Sequence, residues 1–280
     1  MIQDVSDTAF WVASYRAAET QRPDALFRDR LAERLSGERG RAIAKSMPRA
    51  NLTAWNVVMR TVVIDSYIQE AIAEGIDVVL NLGAGLDTRP YRLELPAALR
   101  WIEVDHPNII DFKERELANE KPRCHLQRVN VDLTDPVRRR AFLSETGASA
   151  ARILVLTEGV VPYLTVADAG ALADDLAATP SIKYWIVDYF SAQAMQMLSR
   201  SPMQKKLQNA PFQFFPTDWY EFFRTHGWKP KQMRYLAAEG SRLKRMIPIP
   251  WFYRMIIRLM SAEKRKAGAQ FSGYALMERV

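Results

Sequence analysis

VVLNLGAGLDTRPYRL, residues 78–93, decides the fold. An apolar run ends at Asn81 and Leu82, passes through Gly83-Ala84-Gly85, and then has the composition to begin a helix. Glycines at 83 and 85 let the backbone turn tightly at the carboxyl end of a strand and approach a ligand closely. Working outward, DVVLNL (77–82), RWIEV (100–104), HLQRVNV (125–131), RILVLT (152–157) and KYWIVDYF (183–190) are short enough to be buried strands. Helical patterns fall between them near 107–120, 135–146 and 166–178. This alternation implies βαβ units and a parallel sheet with helices on both faces. Upstream the chain reads as helical. Ser6 caps a first segment, Pro23 opens PDALFRDRLAERLSG with Gly37 closing it, and apolar positions from Leu52 to Ile72 form a longer helix ending at Gly75. Downstream come a helix near 217–226, a strand from Trp228 to Leu236, a basic segment and a closing strand, FSGYALMERV. With no helical crossover directly before that last strand, an antiparallel edge is expected. The fold class is therefore α/β, a doubly wound Rossmann-like sheet. It forms one domain over 1–280, with a helical cap at 1–75, a core at 76–190, and a lid with closing strands at 191–280.

The composition excludes other classes. With 280 residues, 48% hydrophobic and 25% charged, the chain is neither disordered nor collagen-like. A lone cysteine, Cys124, forms no internal disulfide and suggests a reducing compartment. MIQDVSDTAFW carries no evident signal peptide, and the apolar stretch from Ile247 to Met260 is interrupted by Arg254 and Arg258 and too short to span a bilayer, so a cytoplasmic location is expected. The net charge of +7 is local. Residues 241–266 hold eight cations against Glu263, and the remainder of the chain is neutral. A nucleic-acid partner is accordingly not expected.

Asp105 follows Gly83 by 22 residues and ends WIEVD, the position from which an acid accepts hydrogen bonds from ribose hydroxyls. A pyrophosphate fingerprint would place a third glycine where Thr88 stands, after Asp87. An acid at a helix start repels a pyrophosphate and suits a cation or an amine. The residues favour S-adenosylmethionine over NAD, and a purely structural turn stays open as a third reading.

NLGAGLDTRPYRL, WIEVDHPNIIDFK, VNVDLTD (129–135) and LTEGVVPYL (156–164), in this order, resemble the leucine carboxyl methyltransferase family, which includes bacterial polyketide O-methyltransferases of the tetracenomycin type. SDTAFWVASYRAAETQRPDALFRDRLA resembles its opening helices. The resemblance implies a seven-stranded methyltransferase sheet and S-adenosylmethionine as cofactor, S-adenosylhomocysteine as product, and no metal. It places Gly83 and Gly85 against the methionine part, Asp105 on the ribose, and Asp132 with Leu133 on the adenine. Glu158 falls near the methionyl group, Arg60 near the cofactor carboxylate or a substrate acid, and Arg16 over the site. Tyr163 becomes a candidate for substrate positioning and His106 a candidate base.

Blander readings stand beside these. Arg60 on a mostly apolar helix suits a buried ion pair, Asp132 and Glu158 suit helix caps, and Tyr163 suits packing. His106 suits a solvated surface, and Trp101, Trp185 and Trp228 suit the core. His125 and His226 have no partner at metal-ligand spacing. The implied reaction is O-methylation of a carboxylate or acidic hydroxyl on a small apolar, polyketide-like acceptor of secondary metabolism. The alternatives are methylation of a protein C-terminal carboxylate, or a non-catalytic cofactor-binding regulator at a membrane. SPMQKKLQNAPFQFFPTDWYEFF (201–223) suits either an apolar acceptor pocket or ordinary core. Segment 241–266 suits transient contact with an anionic membrane or an acidic partner, or steering of acidic substrates. The expected arrangement, however, is a helix packed by its apolar side onto the body with its cations solvated.

Overall fold

The computed structural model describes residues 6–201, 209 and 211–280, without the side chains of Ser6 and Arg254. Residues 202–208 and 210, part of the aromatic-rich stretch, lie outside the described residues.

Three helices precede the sheet: α1 (Ser6–Thr20), α2 (Ala32–Ser46) and α3 (Ala50–Ala73). Strand β1 (Val78–Leu82), the short α4 (Arg89–Arg92), β2 (Arg100–Asp105), α5 (Pro107–Glu116), β3 (His125–Asn130), α6 (Pro136–Ala148) and β4 (Ile153–Thr157) follow. Next come α7 (Val166–Ala177), β5 (Ile182–Phe190), α8 (Ala192–Ser199), α9 (Trp219–Thr225), β6 (Trp228–Tyr235) and α10 (Leu236–Arg242). The chain closes with α11 (Trp251–Leu259), α12 (Ala262–Ala269) and β7 (Ser272–Arg279).

The seven strands form one sheet in the order β3-β2-β1-β4-β5-β7-β6. Strands β1 to β5 pair in parallel, whereas β7 runs antiparallel to both β5 and β6. The reversed strand thus lies on the expected side, one place in from the β6 edge. Every residue of β1 and β4 is buried, as befits central strands covered on both faces. One face packs Leu80, Val155, Trp185 and Trp228 against α7 and α9. The other packs Val79, Leu154 and Trp101 against Val63, Tyr67 and Ile68 of α3. Trp101, Trp185 and Trp228 are fully buried core residues.

The helix expected from Pro23 to Gly37 is not formed as read. Residues 21–31 are turns, because polar side chains there take up backbone groups that a helix would otherwise use. The Glu19 carboxylate accepts from Leu26 N at 2.8 Å, and Thr20 Oγ1 accepts from Asp29 N at 2.8 Å. Asp29 Oδ1 accepts from Ala32 N at the start of α2. Gly37, with φ +54°, kinks α2 and does not end it.

Strand order reverses direction around β1, whose neighbours β2 and β4 belong to opposite halves of the sheet. Such a switch point opens a crevice beyond the strand carboxyl ends. Among the described residues, no helix is long and apolar enough to cross a membrane.

Candidate active site

A cavity of about 740 Å³ occupies that crevice. Its floor is the loop after β1. Gly83 N and Ala84 N donate to Val104 O at 2.8 and 3.1 Å, tying the loop to the end of β2. Gly83 has φ +69°, and a Cβ built there collides with the Val160 side chain, so the position admits only glycine. Asp105 Oδ2 accepts from Gly85 N at 2.6 Å and Oδ1 from His106 N at 2.7 Å. These bonds hold the carboxylate at the cavity wall with lone pairs remaining on both oxygens.

Asp132 and Leu133, beyond the end of β3, line the same cavity. Asp132 Oδ1 accepts from Thr134 N and Thr134 Oγ1. Those two bonds, with His106 as a lesser influence, hold its carboxyl below the usual range. His106 is exposed and groups with Asp105 and Asp132.

A second polar group centres on Arg89, which is 2% exposed. Its Nε donates to Asp65 Oδ1 at 2.6 Å, and its Nη1 to Asp87 Oδ2 at 2.9 Å and Glu158 Oε2 at 2.7 Å. Glu158 Oε1 lies 2.8 Å from Arg60 Nε, and Asp65 also binds Arg92 in bidentate fashion. Asp87 accepts from Asn81 Nδ2 at 2.9 Å as well. The cation that satisfies Asp87 is therefore the chain's own Arg89. Burial works to raise the carboxyls of Asp87 and Glu158, but Arg89, aided at Glu158 by Arg60, holds both below their ordinary values.

Asp188, near the carboxyl end of β5, completes the group. Strand register places Tyr274 opposite it, and the Tyr274 hydroxyl donates to Asp188 Oδ1 at 2.8 Å. Gly159 N donates to Oδ2 at 3.1 Å. Burial pushes the Asp188 carboxyl up to about 6 against the opposing pull of Arg60. The cluster thus holds three guanidiniums (Arg60, Arg89, Arg92) and four carboxylates (Asp65, Asp87, Glu158, Asp188). It carries one net negative charge with Asp188 ionised and none with it protonated.

Arg16, on α1, reaches down to this floor. It donates from Nε to Asp29 at 2.8 Å and from Nη2 to Leu86 O at 2.5 Å, which pins the cap onto the glycine loop. Tyr163 lines the cavity beside Phe212, ring centroids 5.1 Å apart, and burial pushes its hydroxyl up to about 12. The cavity therefore touches Arg16, Arg60, Gly83, Gly85, Asp105, His106, Asp132, Leu133, Glu158 and Tyr163 alike. His226 instead pairs with Asp174 at 2.7 Å, outside the cavity, and His125 lies exposed on β3.

Sequence reading passed over Asp188, Tyr274, Asp65 and Arg89. Asp188 carried a usable signal, an acid within the apolar run KYWIVDYF at the same strand end that singled out Asp105 and Glu158. Among the described residues there is no group of three or more His, Cys, Asp or Glu arranged to hold a metal.

Residues 9–177 match a family model described as leucine carboxyl methyltransferase. A Parafrankia protein, described as an inferred S-adenosyl-L-methionine-dependent methyltransferase, is 35% identical over 183 residues, 61% of this chain and 58% of that protein. One from Streptomyces coelicolor with the same description is 37% identical over 168 residues, 56% and 59% of the two chains. The match thus spans somewhat under three fifths of the length of these curated relatives. Among solved structures, a DUF574 family protein from Streptomyces avermitilis superposes with a TM-score of 0.58 at 16% identity, covering 95% of this chain and 96% of that one. At that identity the likeness establishes the fold alone.

Proposed function

This chain belongs to the leucine carboxyl methyltransferase family, and from that premise we propose that it is an S-adenosylmethionine-dependent O-methyltransferase. Its acceptor would be a carboxylate or acidic hydroxyl on a small apolar molecule. The observation that carries the reading is the joining, in one cavity, of the Asp105–Asp132 wall to the Arg60–Glu158–Asp188 cluster.

The residues present fit the cofactor. Gly83 and Gly85 bring bare backbone to the cavity wall, Asp105 retains acceptor capacity for ribose hydroxyls, and Asp132 offers a carboxylate to an amino group. Among the cavity-lining side chains the carboxylates Asp87, Asp105, Asp132, Glu158 and Asp188 outnumber the guanidiniums Arg16, Arg49 and Arg60, which suits a ligand that is itself net positive, as S-adenosylmethionine is and NAD is not. When bound, the cofactor supplies an electrophilic methyl group on a sulfonium.

The chain's own residues would then orient and deprotonate the acceptor. Catalysis of such a displacement is mostly alignment, which the cavity walls provide. Arg60 is fixed through Nε to Glu158, and its terminal nitrogens are the donors suited to an acceptor oxyanion. The raised Asp188 carboxyl favours the acidic hydroxyl over the carboxylate as acceptor. A base whose conjugate acid lies near 6 is matched to an enol or activated phenol, whereas a carboxylate needs no base. Asp188, which lines the cavity, would take the hydroxyl proton on its carboxylate.

Calorimetric titration with S-adenosylmethionine, S-adenosylhomocysteine and NAD tests the cofactor. Micromolar binding of the first two and none of NAD is expected, and NAD binding in their place would overturn the assignment. Transfer of a labelled methyl group to a panel of enolic, phenolic and carboxylic acceptors then tests the chemistry.

A further inference from the structure

The expectation that helix α11 packs its apolar side onto the body is contradicted by the structure. Leu259 is 85% exposed and Trp251 72%, and Phe252, Tyr253, Met255, Ile256 and Ile257 are exposed too. At about 100° per residue these side chains cover roughly two-thirds of the helix circumference, with Arg258 in the remaining sector. A contiguous apolar surface of this kind on a soluble fold marks an interaction site.

Its position relates it to the cavity. Ile247 and Ile249, just before α11, line the cavity, as do Gly268 near the end of α12 and Phe271 just beyond it, so the chain leaves the rim to form α11 and returns to it at the end of α12. Its charge is one-sided. Arg258, Lys264, Arg265 and Lys266 are all exposed, whereas among the described residues the ion pairs of this segment fall on Arg242 and Arg245.

We propose that α11 docks this protein on an anionic bilayer and sets the cavity mouth against the lipid. Nine helical residues rise about 13 Å, too little to cross a membrane but enough to lie within its interface. Trp251 and Tyr253 are the amphipathic rings favoured at headgroup depth, and the flanking cations attract acidic lipid. A protein groove would engage one narrow stripe of a helix. The wide apolar arc and its cationic flank complement a lipid surface better. Resting on the reading under Proposed function, the acceptor class then narrows to amphiphiles drawn from the membrane, with the methylated oxygen at the polar end.

Vesicle flotation of the full chain tests the docking. Wild type should float with vesicles of phosphatidylcholine and phosphatidylglycerol but not with phosphatidylcholine alone. Binding should weaken about tenfold in high salt, as screened electrostatic attachment does. The double variant Trp251→Asp/Leu259→Asp should lose at least about tenfold of the binding while keeping its thermal midpoint and its S-adenosylmethionine titration. Wild type that stays in solution with anionic vesicles, or a double variant that floats as well as wild type, overturns the proposal. So does a wild-type dimer that the double variant converts to monomer, since a second copy would then cover α11. A chain that floats as expected but binds no S-adenosylmethionine would sink the methyltransferase reading and leave the docking intact.

Discussion

The floor of the cavity and its rim depart from ordinary protein structure in opposite directions. The floor buries charge, with Arg89 at 2% exposure among Asp65, Asp87 and Glu158. The rim exposes apolar surface, with Leu259 and Trp251 largely in water. Burying a single uncompensated ion costs several kcal/mol. Each large apolar side chain left exposed forgoes about 1.5–3 kcal/mol of available burial. The floor's departure is compensated within the chain, carboxylate against guanidinium, and so needs nothing further in order to fold. The rim's departure has no such compensation among the described residues. A buried ionic cluster organises a site, and an exposed apolar helix calls for something outside the molecule.

The sharpest way to break this comparison is at its centre. Arg89→Leu removes the guanidinium in contact with Asp65, Asp87 and Glu158 at once, leaves Asp87 with no cation in direct contact among the described residues, and should destabilise the fold by about 3–5 kcal/mol in urea unfolding. A loss below about 1 kcal/mol would mean that the floor is not held together by its charges. Asp105→Ala should come next. It frees the amide of Gly85 and, on the proposed reading, removes the acceptor for the ribose hydroxyls, so S-adenosylmethionine affinity should fall by about a hundredfold in calorimetry, roughly 3 kcal/mol. Unchanged affinity with the fold intact would take Asp105 out of the site.

What was readable from sequence divides along the same line. The central strands were legible because each is a short apolar run between helical patterns. The glycine loop, Asp105 and Glu158 were legible because strand ends mark the crevice. The ionic floor was not, because Arg60 and Asp65 of α3, Arg89 of α4, Glu158 after β4 and Asp188 of β5 converge from four parts of the chain at no fixed spacing. Arg60 illustrates the limit. Sequence offered either a ligand contact or a buried ion pair, and the structure shows a residue paired with Glu158 that still lines the cavity. The rim failed for another reason. Periodicity in WFYRMIIRL reveals that a helix has an apolar face, but carries no information on whether the body of the protein covers that face. Residues 21–31 failed because Pro23 and the apolar spacing favour a local helix, whereas Glu19, Thr20 and Asp29 claim the backbone amides through contacts that only the fold creates.

Asp188 sharpens the comparison from the floor side. Its carboxyl holds a proton more tightly folded, near 6, than it would unfolded, near 3.9. Its contribution to stability is therefore fully present below about pH 4 and lost as pH rises through 6, by about 2–3 kcal/mol. The base form needed for a hydroxyl acceptor grows over that same upper interval. Methyl transfer should rise with pH through about 6 as stability declines. Asp188→Asn should abolish that limb of the pH–rate profile, lower turnover tenfold or more, and stabilise the protein above pH 7 relative to wild type. A limb near 6 that survives in Asp188→Asn would assign the titration to another group.

The smallest expected effect tests the rim. Leu259→Ser replaces an apolar side chain that is already 85% exposed, so folding gives up almost no buried area and stability should change by less than about 0.5 kcal/mol. The same replacement at Ile186, fully buried in β5, removes a core side chain and introduces a buried hydroxyl, and should cost about 3 kcal/mol or more. Paired urea titrations of the two variants give this contrast directly. A loss above about 1 kcal/mol for Leu259→Ser would mean that α11 is covered in solution by the chain itself. The rim would then be ordinary core, and only the buried charge of the floor would still set this molecule apart.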